Sequence, residues 1–185
     1  MTKEILKQTD EKMHKATEVV RQELAKIRTG KATTALLDGV RVEYYGAHMP
    51  LHQVANVSVM DVHTIGVTPW DKNMVVPIEK AIAAANLGLN PIADGQIIRV
   101  PIPPLNEERR KELVKLVKKF AEEGKIAVRN VRRDAIEHLK RSEKAEHFSE
   151  DERKRAEADV QKMTDRFIKD IDTLVTVKEK EIMEV

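Results

Sequence analysis

At 185 residues the chain is long enough for one ordinary domain or two small ones, and its net charge of +2 names no partner by itself. Aromatics are only 3%, so any core is aliphatic, and 35% charged residues suit long solvated helices better than a compact enzyme body. The absence of cysteine excludes disulfides, thiol chemistry and cysteine-ligated metals; a polar start from Met1 to Lys15 and no apolar run near 18 residues argue against export or membrane spanning, leaving the cytoplasm as default.

Lys3 to Thr29 reads as a helix. Met13, Ala16, Val20, Leu24 and Ile27 recur at three- and four-residue steps, and Gly30 ends the pattern. From Lys31 to Pro104 the texture changes to short periods, with five basic and six acidic residues. Val40 to Tyr44 alternates like a strand, and Gly46 to Pro50 supplies a turn. Val57 to Met60 and Thr64 to Val67 predict further strands joined at Asp61 to His63. Pro77 to Asn86 predicts one short helix, and Gln96 to Val100 a closing strand. The whole is a small α+β insert. Pro101, Pro103 and Pro104 end it in an extended stretch. The chain therefore leaves its first helix at Gly30 and Lys31 and returns at Pro101 to Leu105, two crossings that form either a hinge or two fixed joints.

The remainder is helical. Asn106 is a plausible N-cap, and Leu113, Val117, Phe120, Val128, Val131, Ala135 and Leu139 carry an apolar face. Gly124 lies in phase with that face, where close helix approach explains a glycine. Ser149 with Glu152 makes a capping box for a last helix whose stripe is Ala156, Val160, Met163, Phe167, Ile171, Leu174 and Ile182. Three comparable stripes in one chain predict an intramolecular three-helix bundle, with an oligomeric coiled coil as the rival.

Charge is segregated along this second half. Residues 109–133 carry ten Lys or Arg and three acids, a local balance of +7, whereas residues 142–185 are at −4. Lys111, Lys115, Lys118, Lys125, Arg129 and Arg132 follow steps of three, four or seven away from the apolar stripe, and Arg109, Arg110 and Arg133 broaden the ridge. Such a ridge matches a phosphate ladder, and arginine's planar fork suits bidentate phosphate contacts. The bland alternative is a charged face that only solvates a helix, since Glu122 and Glu123 interrupt it. No aromatic-interleaved RNA-binding strand and no helix-turn-helix is present.

Enzymatic signals are thin. His48, His52 and His63 fall in the insert without an HExxH, and His14, His138 and His147 lie on charged helix surface. No Walker loop, GxGxxG or nucleophile elbow occurs, so neither a catalytic nor a metal site is expected. Trp70 and the Tyr44-Tyr45 pair fit core or sheet packing, with a partner hot spot as the alternative, and one tyrosine is exposed if both lie in a strand.

Several runs resemble the bacterial ribosome recycling factor family. They are Lys26-Ile27-Arg28-Thr29-Gly30-Lys31-Ala32, Leu36-Leu37-Asp38-Gly39, Val42-Glu43-Tyr44-Tyr45-Gly46, Glu79-Lys80-Ala81-Ile82 and Leu87-Gly88-Leu89-Asn90-Pro91. The most specific runs from Arg99 through Pro101, Pro103 and Pro104 to Lys111, followed by Val128-Arg129-Asn130-Val131-Arg132-Arg133-Asp134-Ala135. With the terminal helices the resemblance covers essentially the full chain.

The resemblance implies an α+β, L-shaped molecule. Residues 1–30 and 105–185 would form an elongated antiparallel three-helix bundle, and 31–104 an inserted β/α/β sandwich domain, with hinges near 29–31 and 101–105. It implies a non-enzymatic, cytoplasmic monomer without a cofactor. Such a protein binds the post-termination 70S ribosome, mainly through large-subunit ribosomal RNA. With elongation factor G, which uses the GTP, it promotes separation of the subunits and release of messenger RNA. Carried over residue by residue, Arg28, Arg110, Arg129, Arg132 and Arg133 look like ribosomal RNA contacts, joined by Lys118 and Lys125 of the ridge. Gly30, Lys31, Pro101, Pro103 and Pro104 match the linkers. The family usually has Arg where this chain has Lys31, and Ser142 to Phe148 departs from its relatives. The rival functions are an RNA-binding module independent of any GTPase, and a helical adaptor that binds protein alone.

Overall fold

The computed structural model describes residues 2–145 and 148–184; His147, and with it part of the Ser142 to Phe148 turn, lies outside them. In chain order the elements are α1 (Thr2–Ala25), β1 (Arg41–Tyr44), β2 (Ala47–Pro50), β3 (Ala55–Asp61), β4 (Thr64–Pro69) and α2 (Val75–Ala84). Then follow β5 (Ile92–Asp94), β6 (Ile97–Pro101), α3 (Glu107–Lys144) and α4 (Glu150–Met183). The described residues divide into two units, 29–106 and the remainder on either side of it in sequence.

The outer unit is the three-helix bundle. Val20 of α1 faces Gly124 of α3, and Ile5 lines one small cleft with His138. Asp10 pairs with Arg166 of α4, and the His14 ring lies beside Phe167. α1 and α4 therefore run parallel, with α3 antiparallel to both. The core is aliphatic, as the composition requires: Met13, Val117, Val128, Leu139, Val160 and Ile171 are fully buried.

Three threonines share that core because their hydroxyls are satisfied within the helix. Thr9, Thr17 and Thr164 each donate to the carbonyl four residues earlier, at 2.7, 3.1 and 2.8 Å, so burial leaves no orphaned donor. Ser149 opens α4 with the expected capping box. Its side chain accepts from the Glu152 N–H, and the Glu152 carboxylate accepts from the Ser149 N–H at 2.9 Å.

The end of α1 differs from the expected one. The helix stops at Ala25, where Ile27 N–H turns back to the Leu24 carbonyl three residues away, so Arg28 and Thr29 lie beyond it. Ile27 stays buried on the stripe without being helical, which is why periodicity carried the predicted helix too far.

In the inserted unit, β1 and β2 form a hairpin, and residues 47–50, expected as a turn, are its second strand. The turn is Tyr45-Gly46, both at positive φ (47° and 81°), the geometry of a two-residue hairpin loop that matches strand twist. A four-stranded antiparallel sheet follows in the order β3-β4-β6-β5. Its edge strand β5 has only three residues and no sequence signal of its own. α2 packs against β1, β5 and β6 and buries Ile78 and Ile82 against Ile65, Val67, Ile98 and Val100. It begins and ends two residues earlier than Pro77 to Asn86 predicts, and Asn86, at φ 52°, lies past its end. Trp70, expected to pack in the sheet, is 69% exposed, and Tyr45, at 87%, is the outward tyrosine.

Candidate nucleic-acid interface

α3 is a single 38-residue helix, about 57 Å long, with acids Glu107 and Glu108 in its first turn. Its buried positions, among them Leu113, Val117, Ala121, Gly124 and Val128, define one seam. The cations then separate by their angle from it.

Lys118, Lys125 and Arg132 are seven residues apart and flank the seam on the α4 side. Lys118 Nζ lies 3.7 Å from Glu179, and Lys125 Nζ lies 2.5 Å from Asp172. Arg132 Nη1 donates to Gln161 Oε1 at 2.8 Å, and Gln161 in turn donates to Asp165 at 2.9 Å. Arg132 is half-buried, and its Nε is buried with no hydrogen-bond partner. These three are rungs between two helices, the flanking positions of a heptad-like seam. The expectation that the ridge cations line a solvent face is corrected at Arg110, Lys125 and Arg132, which are half-buried.

Arg129 and Arg133 point further round the helix and are exposed. Arg129 Nη1 meets Glu122 at 3.1 Å, and Arg133 Nη2 donates to Asn130 at 3.2 Å. Both partners lie on α3 itself, and Arg129 and Glu122 are each about half exposed, so the Arg129 pair adds little stability. Lys140, seven residues beyond Arg133, continues this face and is also exposed. Sequence reasoning passed over it, although the step of seven marks it. Lys111 and Lys115 extend the face toward the start of α3, with Lys111 paired to Glu107 at 2.7 Å.

Arg110 is half-buried near the beginning of α3, and Arg28 is exposed beyond the end of α1. Because α1 and α3 are antiparallel, both belong to one end of the bundle. Arg110 and Arg133 are about 35 Å apart along the axis and about 140° apart around it, so the arginines are spread over the helix and do not converge on a pocket. That arrangement suits an extended polyanion.

The crossings have their own geometry. Gly30 is buried at φ 78°, and a Cβ there would lie 3.2 Å from Leu105 Cγ. Pro101 is the last residue of β6, in register with Thr64 of β4, whereas Pro103 and Pro104 are exposed and outside any regular element. Lys31 is half-buried between Gly30 and the anchored Ala32, whose N–H donates to the Val62 carbonyl at 2.8 Å.

Among the described residues no group of three or more His, Asp or Glu side chains is placed to hold a metal ion, and no helix is long and apolar enough to cross a membrane. His48 and His52 are exposed; His63 is half-buried, with Nδ1 3.2 Å from the Gly30 carbonyl oxygen. Asp61 is held below the usual carboxylate range, chiefly because the His63 N–H donates to it at 2.8 Å.

The family model described as ribosome recycling factor matches residues 20–183. A ribosome-recycling factor of Symbiobacterium thermophilum is 56% identical over 185 residues, covering all of both chains. One from Chlorobium phaeobacteroides is 55% identical, over 99% of this chain and 98% of its own. The solution structure of a ribosome recycling factor aligns with TM-score 0.76 at 47% identity, covering 100% of this chain and 98% of that one. A Thermus thermophilus ribosome recycling factor, described with Escherichia coli elongation factor G bound to the E. coli post-termination complex, aligns with TM-score 0.64 at 50% identity. That match covers 99% of each chain.

Proposed function

The chain belongs to the ribosome recycling factor family, and we propose that it binds the post-termination ribosome through the exposed arginine face of α3. It is a translation factor and not an enzyme. The observation that carries the binding reading is Arg129 with Arg133: two guanidinium groups on one face of a rigid helix, held only by weak contacts within that helix. Guanidinium groups so placed take phosphate oxygens bidentately and release condensed counterions as they do. Lys140, Lys111 and Lys115 lengthen the contact, and Arg28 and Arg110 add one end of the bundle. Lys118, Lys125 and Arg132 hold α4 in place beside the face and reach phosphate only at its margin.

In this account residues 1–30 and 105–185 dock on large-subunit ribosomal RNA, and residues 31–104 face elongation factor G, which supplies the GTP hydrolysis. The factor needs no cofactor and works as a cytoplasmic monomer. Bending is localised to the two crossings, the one that enters through Gly30 and Lys31 and the one that returns through Pro103 and Pro104. Pro101 belongs with the sheet. The bundle transmits the push on the small unit to the contacts between ribosomal subunits.

The test is sedimentation of post-termination complexes through a sucrose gradient. The 70S peak should resolve into subunits only when this chain, elongation factor G and GTP are all present. Binding of the chain to naked RNA with no effect on the 70S peak would defeat the recycling reading in favour of a plain RNA-binding module.

A further inference from the structure

Both crossings into the small unit end on one turn, Val62-His63, between β3 and β4. The Val62 carbonyl accepts from Ala32 N–H at 2.8 Å on the way in, and the His63 carbonyl accepts from Ile102 N–H at 2.6 Å on the way out. The His63 side chain adds a third tie, with Nδ1 3.2 Å from the Gly30 carbonyl oxygen. A carbonyl only accepts, so this bond requires the tautomer with the proton on Nδ1. The turn is itself braced, because His63 N–H donates to Asp61 Oδ1 at 2.8 Å.

The two backbone ties fix where the small unit begins and ends, at Ala32 and Ile102. Gly30 and Lys31 lie just outside the first of them. Glycine is the residue with the widest backbone freedom, and Gly30 already occupies φ 78° against the Leu105 side chain. Left untied, Gly30 would add its own wide backbone freedom to the entry crossing.

We propose that His63 is a positioning residue of the joint: its imidazole, bonded to the Gly30 carbonyl, extends the small unit's rigid frame from Ala32 back to Gly30. Lys26 and Ile27 N–H are bonded back to α1, so bending is then confined to residues 28–29 on one crossing and 103–106 on the other. The inference rests on the reading that the joint transmits force during recycling, but its structural part is testable without a ribosome.

The chain contains no cysteine, so Lys162→Cys on α4 and Ser58→Cys on β3, both exposed, accept one spin label each. Pulsed electron spin resonance then reports the distribution of distances between them. His63→Ala should broaden that distribution, with the population of released conformers rising roughly fivefold, as expected for loss of one ordinary hydrogen bond. His63→Asn places an amide N–H where Nδ1–H was and should return most of the original width. In the recycling reaction His63→Ala should bind ribosomes normally yet split them more slowly, a difference that loss of folded protein would not produce.

An unchanged width in His63→Ala would overturn the proposal, and so would His63→Asn as broad as His63→Ala. A broadened distribution with an unaltered splitting rate upholds the tie at Gly30 and removes the force-transmission reading.

Discussion

Replacing Gly124 with Ala tests the packing that makes α3 a rigid platform. Gly124 lies where all three helices meet. A Cβ built there comes 2.1 Å from Val20 Cγ2 of α1 and 3.4 Å from Ile171 Cδ1 of α4. Val20 is 3% exposed and Ile171 fully buried, and a β-branched valine on a helix has essentially one rotamer, so Cγ2 has nowhere to turn. Alanine gains about 1 kcal/mol over glycine in helix propensity. Overpacking a filled core costs about 1–3 kcal/mol, and a contact this short belongs at the upper end. The net is about 1–2 kcal/mol of destabilisation.

Urea unfolding followed by circular dichroism at 222 nm measures it, and in a thermal melt a chain of this size should lose about 2–8 °C in Tm. In a Val20→Ala background the clash is gone and the same change should stabilise, because the new methyl fills the space left by Cγ2. If Gly124→Ala stabilises the unaltered chain by the propensity gain alone, the close approach of α1 and α3 is refuted.

Arg129→Ala and Arg133→Ala should each lower the slope of log affinity against log salt for ribosome binding by about one unit, while leaving Tm unchanged. Lys125→Ala, which removes a rung to Asp172, should cost less ribosome affinity than Arg129→Ala and reduce stability by no more than about 1 kcal/mol in urea unfolding. Ser149→Ala should destabilise α4 by about 1 kcal/mol, the usual cost of losing an N-cap. The same variant should alter acid sensitivity. Backbone and side-chain donors of Ser149 hold the Glu152 carboxyl below its usual range, so folding gains stability above that range and loses it as pH falls through the depressed value. Melting curves at stepwise lower pH should therefore show a shallower acid loss in Ser149→Ala than in the parent chain.

The long elements were legible because each states one period over many turns. The buried faces of α3 and α4 follow the stripes through Val117, Val128, Leu139, Val160 and Ile171, and the Ser149-Glu152 capping box and Gly124 each have a local chemical cause. The buried threonines were missed because composition counts them as polar, while a hydroxyl donated to the carbonyl one turn back makes them acceptable in a core. The β1–β2 hairpin was misplaced because its turn puts Tyr45 at positive φ, a conformation that tyrosine's own preferences argue against. The exposure of Trp70 has no local signal, since large aromatics are usually drawn inward.

At the candidate interface the residue types were legible but not their angles. Lys118, Lys125 and Arg132 share a step of seven, and in a three-helix seam that step marks positions beside a neighbouring helix. The ladder of partners on α4, Glu179, Asp172 and Gln161, becomes visible only when the antiparallel register is known. A step of seven from Arg133, two turns further along α3, would have found Lys140.

Stopped-flow light scattering of post-termination ribosomes with elongation factor G and GTP tests the central claim most directly. The arginine face is claimed to dock the factor, and the small unit and joint to do the work after docking. The Arg129→Ala/Arg133→Ala double variant should therefore split ribosomes slowly at low factor concentration and recover the parent rate at saturation. A rate equal to the parent's at every concentration, or a deficit that persists at saturation, would contradict the account.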